Sequence, residues 1–315
     1  MQVQTDALKP QRSAFELERR RRLSGIGLMC AALLCFAFLD ALAKWLGTHM
    51  HPIQVVWARY VSALILVLVL FNPWTHPGVF VSRKPGIQAV RSALLFASTA
   101  LNFFALQHLQ LDQTVSIMFA TPFIVAILAG PILGQWIGPR RWAAVVVGFC
   151  GVLVVTQPWA GPLHWAMVFS MIGATAYAIY NILTAKLSGH DSAATTSIYS
   201  VAFGALAATG LVPLVWMAPE SLVVGLGMVA IGFFGAFGHW LLIVAHGRAP
   251  APILAPFIYT QIVWMMSFGW IFFDQVPALN TLFGATIVIG SGLYLIYREH
   301  VVKAAPASTA SIEPR

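Results

Sequence analysis

Ten apolar runs, each close to the length of a membrane span, take up most of the chain. A helix of about 20 apolar residues crosses roughly 30 Å of hydrocarbon, and lipid offers a backbone no hydrogen-bond partners outside a helix or a closed barrel. The runs are too long and continuous for barrel strands. The sequence therefore predicts an all-α polytopic membrane protein with ten transmembrane helices: Gly25–Gly47, Ile53–Phe71, Gly86–Gln107, Thr114–Gly134, Arg141–Gln157, Trp165–Leu187, Ala194–Trp216, Leu222–His246, Ala251–Phe273 and Asn280–Tyr297.

Composition and charge placement support a membrane setting. Only 9% of the residues are charged, against about 25% in soluble domains, which excludes a soluble enzyme, a nucleic-acid-binding domain and a disordered chain. With the N-terminus in the cytoplasm, 16 of the 18 Lys and Arg residues fall in inner regions and none in outer loops. This asymmetry predicts a multi-pass inner-membrane protein with cytoplasmic termini. The net charge of +8 then indicates contact with the lipid bilayer and not with nucleic acid.

The second half of the chain repeats the first. A shift of 139 residues lays Thr121 over Thr260 and Gly151 over Gly290. Five spans per unit is an odd number, so two copies insert with opposite orientation, an arrangement typical of secondary transporters. The predicted architecture is two inverted five-helix repeats between short polar tails: tail 1–24, first repeat 25–157, second repeat 164–298 and tail 299–315.

Four stretches resemble a known family: Phe38–Gly47, Val56–Tyr60, Gly134–Trp142 and Phe273–Pro277. They are similar to the EamA-domain branch of the drug/metabolite transporter superfamily, over roughly residues 25–298. The resemblance implies a central cavity lined mostly by spans 1, 3, 4, 6, 8 and 9. It also implies transport of small metabolites such as amino acids, nucleosides, S-adenosylmethionine or riboflavin. Many members carry Glu where this chain has Gln135 and Asp274, and its second repeat has no Arg that matches Arg59.

Three charged residues lie inside the first two spans and are candidates for gating or coupling. Asp40 and Arg59 are both roughly 10 Å below the outer edge, on adjacent antiparallel helices, so they can pair. Lys44, one turn after Asp40 on the same face, offers a second partner. Two interpretations stay open, because charged residues inside a membrane protein can have structural or functional roles. One is a structural ion pair that fixes the first hairpin. The other is an outer gate, or a charged group for substrate or proton coupling.

Polar and aromatic residues within the spans are candidates for a substrate cavity. His239 could carry a coupling proton or be a neutral histidine that hydrogen-bonds a neighbouring helix. The other candidates are uncharged polar groups, or aromatic rings that could stack on a substrate. The full set is Ser98, Asn102, Phe119, Thr121, Tyr177, Asn181, His239, Trp240, Tyr259, Gln261 and Trp264.

These features predict a secondary active transporter that moves a small organic metabolite by alternating access, with proton coupling as an additional hypothesis. Two alternatives remain: a non-transporting membrane scaffold or receptor, and a membrane-embedded enzyme. The enzyme is less favoured because the sequence has no paired-carboxylate site, zinc-protease motif or nucleophile elbow, and no phosphate-binding loop. No cluster has metal-ligand spacing, so no metal or other cofactor is predicted. The sequence predicts no oligomeric state.

Overall fold

The computed structural model describes residues 2–70, 78–134, 136, 138–157, 159–160, 164–187, 190–249 and 254–304. Within these residues the chain is all-helical and contains no strand. Short 3-10 segments occur at Val212–Leu214 and Ala255–Tyr259. The α-helices are α1 Gln2–Leu46, α2 Pro52–Leu70, α3 Pro85–Leu106, α4 Leu111–Met118, α5 Thr121–Leu133, α6 Pro139–Thr156, α7 Trp165–Leu187, α8 Ala193–Leu211, α9 Leu222–Arg248, α10 Thr260–Phe273 and α11 Leu279–Ala304.

The described helices include seven segments long and apolar enough to cross a membrane, with α4 and α5 forming one of them. Three further apolar segments are shorter than these seven: Trp142–Thr156, Phe257–Phe273 and Leu279–Tyr294. The protein is therefore a multi-pass helical membrane protein.

Two predicted spans are interrupted instead of continuous. The fourth divides into α4 and α5, and Thr121 and Pro122 begin the second piece, because proline lacks an N–H and suits the first turn of a helix. In the ninth span a 3-10 segment precedes α10, which begins at Thr260. The two breaks therefore lie 139 residues apart, at the offset that relates the two halves of the sequence.

The helices at both ends of the described chain extend beyond the predicted first and last spans. Residues 2–24 are helical and continuous with the first span. The side chain of Arg22 pairs with Glu18 one turn earlier, and Arg21 Nη2 donates a hydrogen bond to the carbonyl of Gly247 at 2.8 Å. At the other end α11 extends to Ala304, past the predicted boundary. Residues 161–163, between the two predicted repeats, lie outside the described residues.

Helix packing partners occur in matched pairs. The contact of α1 with α9 corresponds to that of α7 with α3 in the other half of the chain. In the same way, the contact of α2 with α9 corresponds to that of α8 with α3. The contact of α1 with α10 corresponds to that of α7 with α5. The remaining large contacts join α6 to α11 and α2 to α8. A Cβ on Gly284 of α11 would lie 2.6 Å from the carbonyl oxygen of Gly151 on α6, so this close approach requires glycine.

Arg91 is one of the 16 basic residues assigned to the inner regions, and the structure buries it. It lies within α3 and is only 2% exposed. Its guanidinium donates to Ser200 Oγ at 2.8 and 3.0 Å and to Thr184 Oγ1 at 2.8 Å, and it stacks on the ring of Tyr180. Because it can satisfy its donors with neutral oxygens, Arg91 joins α3 to α7 and α8 instead of facing lipid headgroups.

Near the same ends of these helices, Asp191 joins the α7–α8 connection to the first turn of α3 and to the residues before it. Its carboxylate accepts hydrogen bonds from the hydroxyl of Ser82 at 2.5 Å, the backbone N–H of Arg83 at 2.8 Å and the amide of Gln88 at 2.9 Å. These bonds, that from Ser82 above all, hold the pKa of Asp191 below its usual value. The carboxylate therefore stabilises the junction in its charged form.

Candidate functional site

A cavity of about 730 Å³ occupies the centre of the bundle. Both halves of the chain line it: α1 to α5 from the first half, and α7, α9, α10 and α11 from the second. α9 runs antiparallel to α1, since Gly227 contacts Trp45 and Gly238 contacts Phe36. The cavity can therefore be described by two ends, one near Leu46 (the Leu46 end) and the opposite end, which includes Met29 and Leu242.

The charged side chains Asp40 and Arg59 both line the cavity, toward the Leu46 end. The amide of Asn102 donates to Asp40 Oδ1 at 3.3 Å. Arg59 Nη1 donates to Thr99 Oγ1 at 2.5 Å, and its guanidinium lies 5.7 Å from the centre of the Phe103 ring. Among the described residues no ion pair within 4.0 Å joins Asp40 to Arg59. Each is instead held separately against α3.

Lys44 does not serve as the predicted partner of Asp40. It is 8% exposed, lies outside the cavity lining, and its Nζ donates to the carbonyls of Leu106 and Leu109 at 2.6 and 2.7 Å. The last carbonyls of a helix have no partners within it. Lys44 satisfies such groups at the end of α3, which explains why it faces away from Asp40.

Further polar contacts between the helix ends and the loops close the Leu46 end of the bundle. Gln54 donates to the carbonyl of Met217 at 2.7 Å and accepts from its N–H at 2.9 Å. Gln107 donates to the carbonyl of Ala43 at 3.2 Å. Together with the buried side chains of Leu46 and Met50, these contacts separate the charged pair from that end of the bundle.

Nine of the eleven predicted cavity residues line the cavity: Ser98, Asn102, Phe119, Thr121, Tyr177, Asn181, His239, Tyr259 and Gln261. Phe119 and Tyr259 meet edge to face with ring centres 5.1 Å apart, at the breaks of the fourth and ninth spans. His239 packs edge to face on Phe36 at 5.0 Å. No hydrogen bond to its ring occurs among the described contacts.

The structure places the two predicted tryptophans outside the lining. Trp240 is 48% exposed on the outer face of α9 and stacks on Phe237 at 5.6 Å. Trp264 is partly buried and packs against the hydrophobic core. The face of α9 is set by Gly235 and Gly238, which approach α1, and Trp240 lies 200° around the helix from Gly238.

Sequence reasoning missed apolar lining residues such as Met29, Leu33 and Phe36, and it missed Gly292 of α11. A Cβ on Gly292 would lie 1.6 Å from the hydroxyl oxygen of Tyr259. This glycine therefore makes room for a cavity-lining side chain. Its position in a glycine-rich helix is the one signal in the sequence that could have indicated such a contact.

Comparisons with known proteins agree with this architecture. The profile of the EamA-like transporter family matches residues 23–157 and 164–298. A solved crystal structure superposes with a TM-score of 0.63 at 13% identity, covering 88% of this chain and 98% of that one, which supports the fold alone.

Several curated relatives align with this chain over nearly the whole of their own length. An S-adenosylmethionine uptake transporter from Rickettsia conorii is 26% identical over 88% of this chain and 94% of its own. A riboflavin transporter from Brucella anthropi is 28% identical over 86% and 98%, and a pseudopaline exporter from Pseudomonas aeruginosa is 25% identical over 84% and 93%. The predicted family and the prediction of a transporter instead of an enzyme are confirmed. The chain belongs to the EamA-like transporter family.

Proposed function

We propose that the protein moves a small organic metabolite across the bacterial inner membrane by alternating access. The observation that carries this proposal is the central cavity, which both halves of the chain line and which is closed at the Leu46 end. Its volume of about 730 Å³ lies within the range of ligand sites, roughly 300 to 1,000 Å³. A site between two repeats that opens to one side at a time is the usual arrangement in secondary transporters.

The proposal includes ten spans arranged as two inverted repeats, residues 25–157 and 164–298, with both termini in the cytoplasm. The matched packing partners support two-fold related halves. The breaks at Thr121 and Thr260, one repeat apart, support it independently. The basic residues of the inner regions supply the orientation. In this orientation the Leu46 end, which the contacts of Lys44 and Gln54 close, is periplasmic.

The substrate class follows in part from the relatives, which transport S-adenosylmethionine, riboflavin and pseudopaline by name. We propose a metabolite of this size range. Proton coupling is a separate proposal that rests on Asp40 and His239 in the cavity. If coupling is correct, collapsing the pH gradient will lower the initial rate of transport; an unchanged rate would exclude it.

Transport is tested with the purified full chain in proteoliposomes and a panel of labelled metabolites. Wild-type protein should give saturable flux of at least one compound. Ala126→Trp fills the cavity lining and should abolish that flux. Leu206→Trp changes a side chain that is 75% exposed on the outside of the bundle and should retain it. No flux and no thermal stabilisation by any compound would refute the proposal and favour a scaffold or receptor.

A further inference from the structure

Asp40 and Arg59 are ionisable groups of opposite sign that face one cavity, and no ion pair within 4.0 Å joins them. Of the described lining residues, Asp40 is the one carboxylate and Arg59 the one guanidinium. Charges removed from bulk water are costly unless a counter-charge or water satisfies them. Two opposite charges in reach of one cavity would ordinarily combine into an ion pair, so their separation requires an explanation.

The separation comes from α3, which holds each charge at its own position. Arg59 binds Thr99 and Asp40 binds Asn102. Residues three apart on a helix are neighbours, with Cβ atoms about 5–6 Å apart. The two charged groups are therefore anchored on either side of one turn of α3.

Unused hydrogen-bonding groups remain between the two anchors. Asn102 Oδ1 is buried and has no partner, although unsatisfied buried acceptors are uncommon in folded proteins. Asp40 accepts one described hydrogen bond and Arg59 donates one, whereas a guanidinium has five N–H donors. The cavity thus offers two acceptors for a cation on one side and several donors for an anion on the other.

We infer that the substrate of the proposed transport is a zwitterion with an amino-carboxylate head group. Its ammonium lies against Asp40 and Asn102, and its carboxylate lies against Arg59. The remainder of the molecule extends into the aromatic part of the cavity, near Phe36 and Tyr259. This inference rests on the proposed function and narrows its substrate class.

Electrostatic complementarity favours this head group over the alternatives. A cationic ligand would leave Arg59 without a counter-charge, an anionic ligand would leave Asp40 without one, and an uncharged ligand would leave both. A ligand that leaves a charge of the cavity unpaired binds more weakly, so unpaired charges contribute to specificity together with the favourable contacts of the correct ligand. Among the compounds named for the relatives, S-adenosylmethionine carries an amino-carboxylate and riboflavin does not.

Two matched ligand series test the inference on the purified full chain. In the first, tryptophan is compared with tryptamine, which lacks the carboxylate, and with indolepropionate, which lacks the ammonium. In the second, S-adenosylhomocysteine is compared with methylthioadenosine; both are neutral at sulfur, and only the first carries the amino-carboxylate head group. Relative affinity is measured by thermal stabilisation and by inhibition of flux. The standard amino acids are added to the panel, and riboflavin is the uncharged comparison. The zwitterion of at least one series should bind roughly ten- to hundredfold more tightly than its truncated analogues, as expected for charge-assisted hydrogen bonds.

Two substitutions assign the charges to the head group. Arg59→Gln should abolish the preference for tryptophan over tryptamine and retain the preference for tryptophan over indolepropionate. Asp40→Asn should abolish the preference over indolepropionate and retain the preference over tryptamine. Where S-adenosylhomocysteine binds, either substitution should reduce its affinity relative to that of methylthioadenosine. Lys44→Gln is the matched control: it alters a buried charge one turn from Asp40 but outside the lining. It should lower the melting temperature and leave every affinity ratio unchanged.

The outcomes separate this inference from the proposed function. If riboflavin or a truncated analogue binds as tightly as the zwitterions, or if no zwitterion binds while an uncharged metabolite is transported, the head-group assignment is wrong and transport stands. If no compound at all is transported, the proposed function fails. Because the ligand series on wild-type protein is decisive by itself, a variant that fails to fold does not prevent the test.

Discussion

The buried guanidinium of Arg91 predicts a large effect from the loss of one hydroxyl group. Ser200 Oγ accepts from both Nη1 and Nη2 of Arg91, at 3.0 and 2.8 Å. Ser200→Ala removes this acceptor and adds no bulk. The carbonyl of Thr196, 3.3 and 3.4 Å from the same nitrogens, can replace part of the loss. The substitution should therefore cost about 1.5–3 kcal/mol, the range for a hydrogen bond to a charged group.

Thermal unfolding of the detergent-solubilised protein measures this cost. A loss of that size should lower the melting temperature by several degrees, roughly 3 to 10 °C. Ser197→Ala is the control, because Ser197 lies three residues earlier on α8 and makes no described hydrogen bond to Arg91. Its melting temperature should stay within about 2 °C of wild type, the usual effect of a substitution away from such contacts. Equal melting temperatures for the two variants would refute the conclusion that Ser200 holds the buried charge.

Three further predictions follow from the packing and the connections. Gly284→Ala should cost about 1–3 kcal/mol by overpacking, whereas Gly290→Ala, with nothing within 4 Å of the new Cβ, should melt like wild type; equal losses would contradict the packing at Gly284. Gly292→Ala should push the ring of Tyr259 into the cavity and raise the KM of whichever compound is transported, and an unchanged KM would place that ring elsewhere. Asp191 has a lowered pKa in the folded protein, so its stabilisation is present above the ordinary Asp pKa of about 3.9 and is lost as pH falls through the lower folded-state value. The melting temperature of Asp191→Asn should therefore be below that of wild type at neutral pH and approach it in strong acid. A difference that stays constant with pH would exclude the charged carboxylate as the source of the stabilisation.

Hydrophobic run length predicts the helices of this protein well, because the lipid constraint acts on each segment by itself. The interruption of the fourth span is less visible, since apolar residues continue on both sides of Thr121. Pro122 is the local signal, and a hydropathy average does not weigh it. Arg91 shows a related limit: a basic residue near a predicted span boundary can face lipid headgroups or a neighbouring helix, and the sequence does not say which.

The candidate site shows what depth and helix face can predict. They place Asp40 and Arg59 at one level of the bundle, in agreement with their positions on the cavity. They do not predict that Thr99 and Asn102 hold the two charges apart, because that depends on a third helix and on side-chain conformations. Trp240 shows the converse. The glycines of α9 identify the face that packs on α1, so the outward position of Trp240 could have been derived from spacing alone.

The paired breaks at Thr121 and Thr260 have a mechanical consequence. A continuous helix is a stiff rod because each turn is hydrogen-bonded to the next, whereas a junction that lacks some of these bonds bends readily. The fourth span is two helical segments joined at Thr121, and this junction contacts the 3-10 segment of the ninth span through the rings of Phe119 and Tyr259. One helical segment can therefore move while the other stays packed. Movement at the end of the cavity near Met29 need not loosen the contacts at the Leu46 end, so a bound substrate need not be exposed on both sides of the membrane at once.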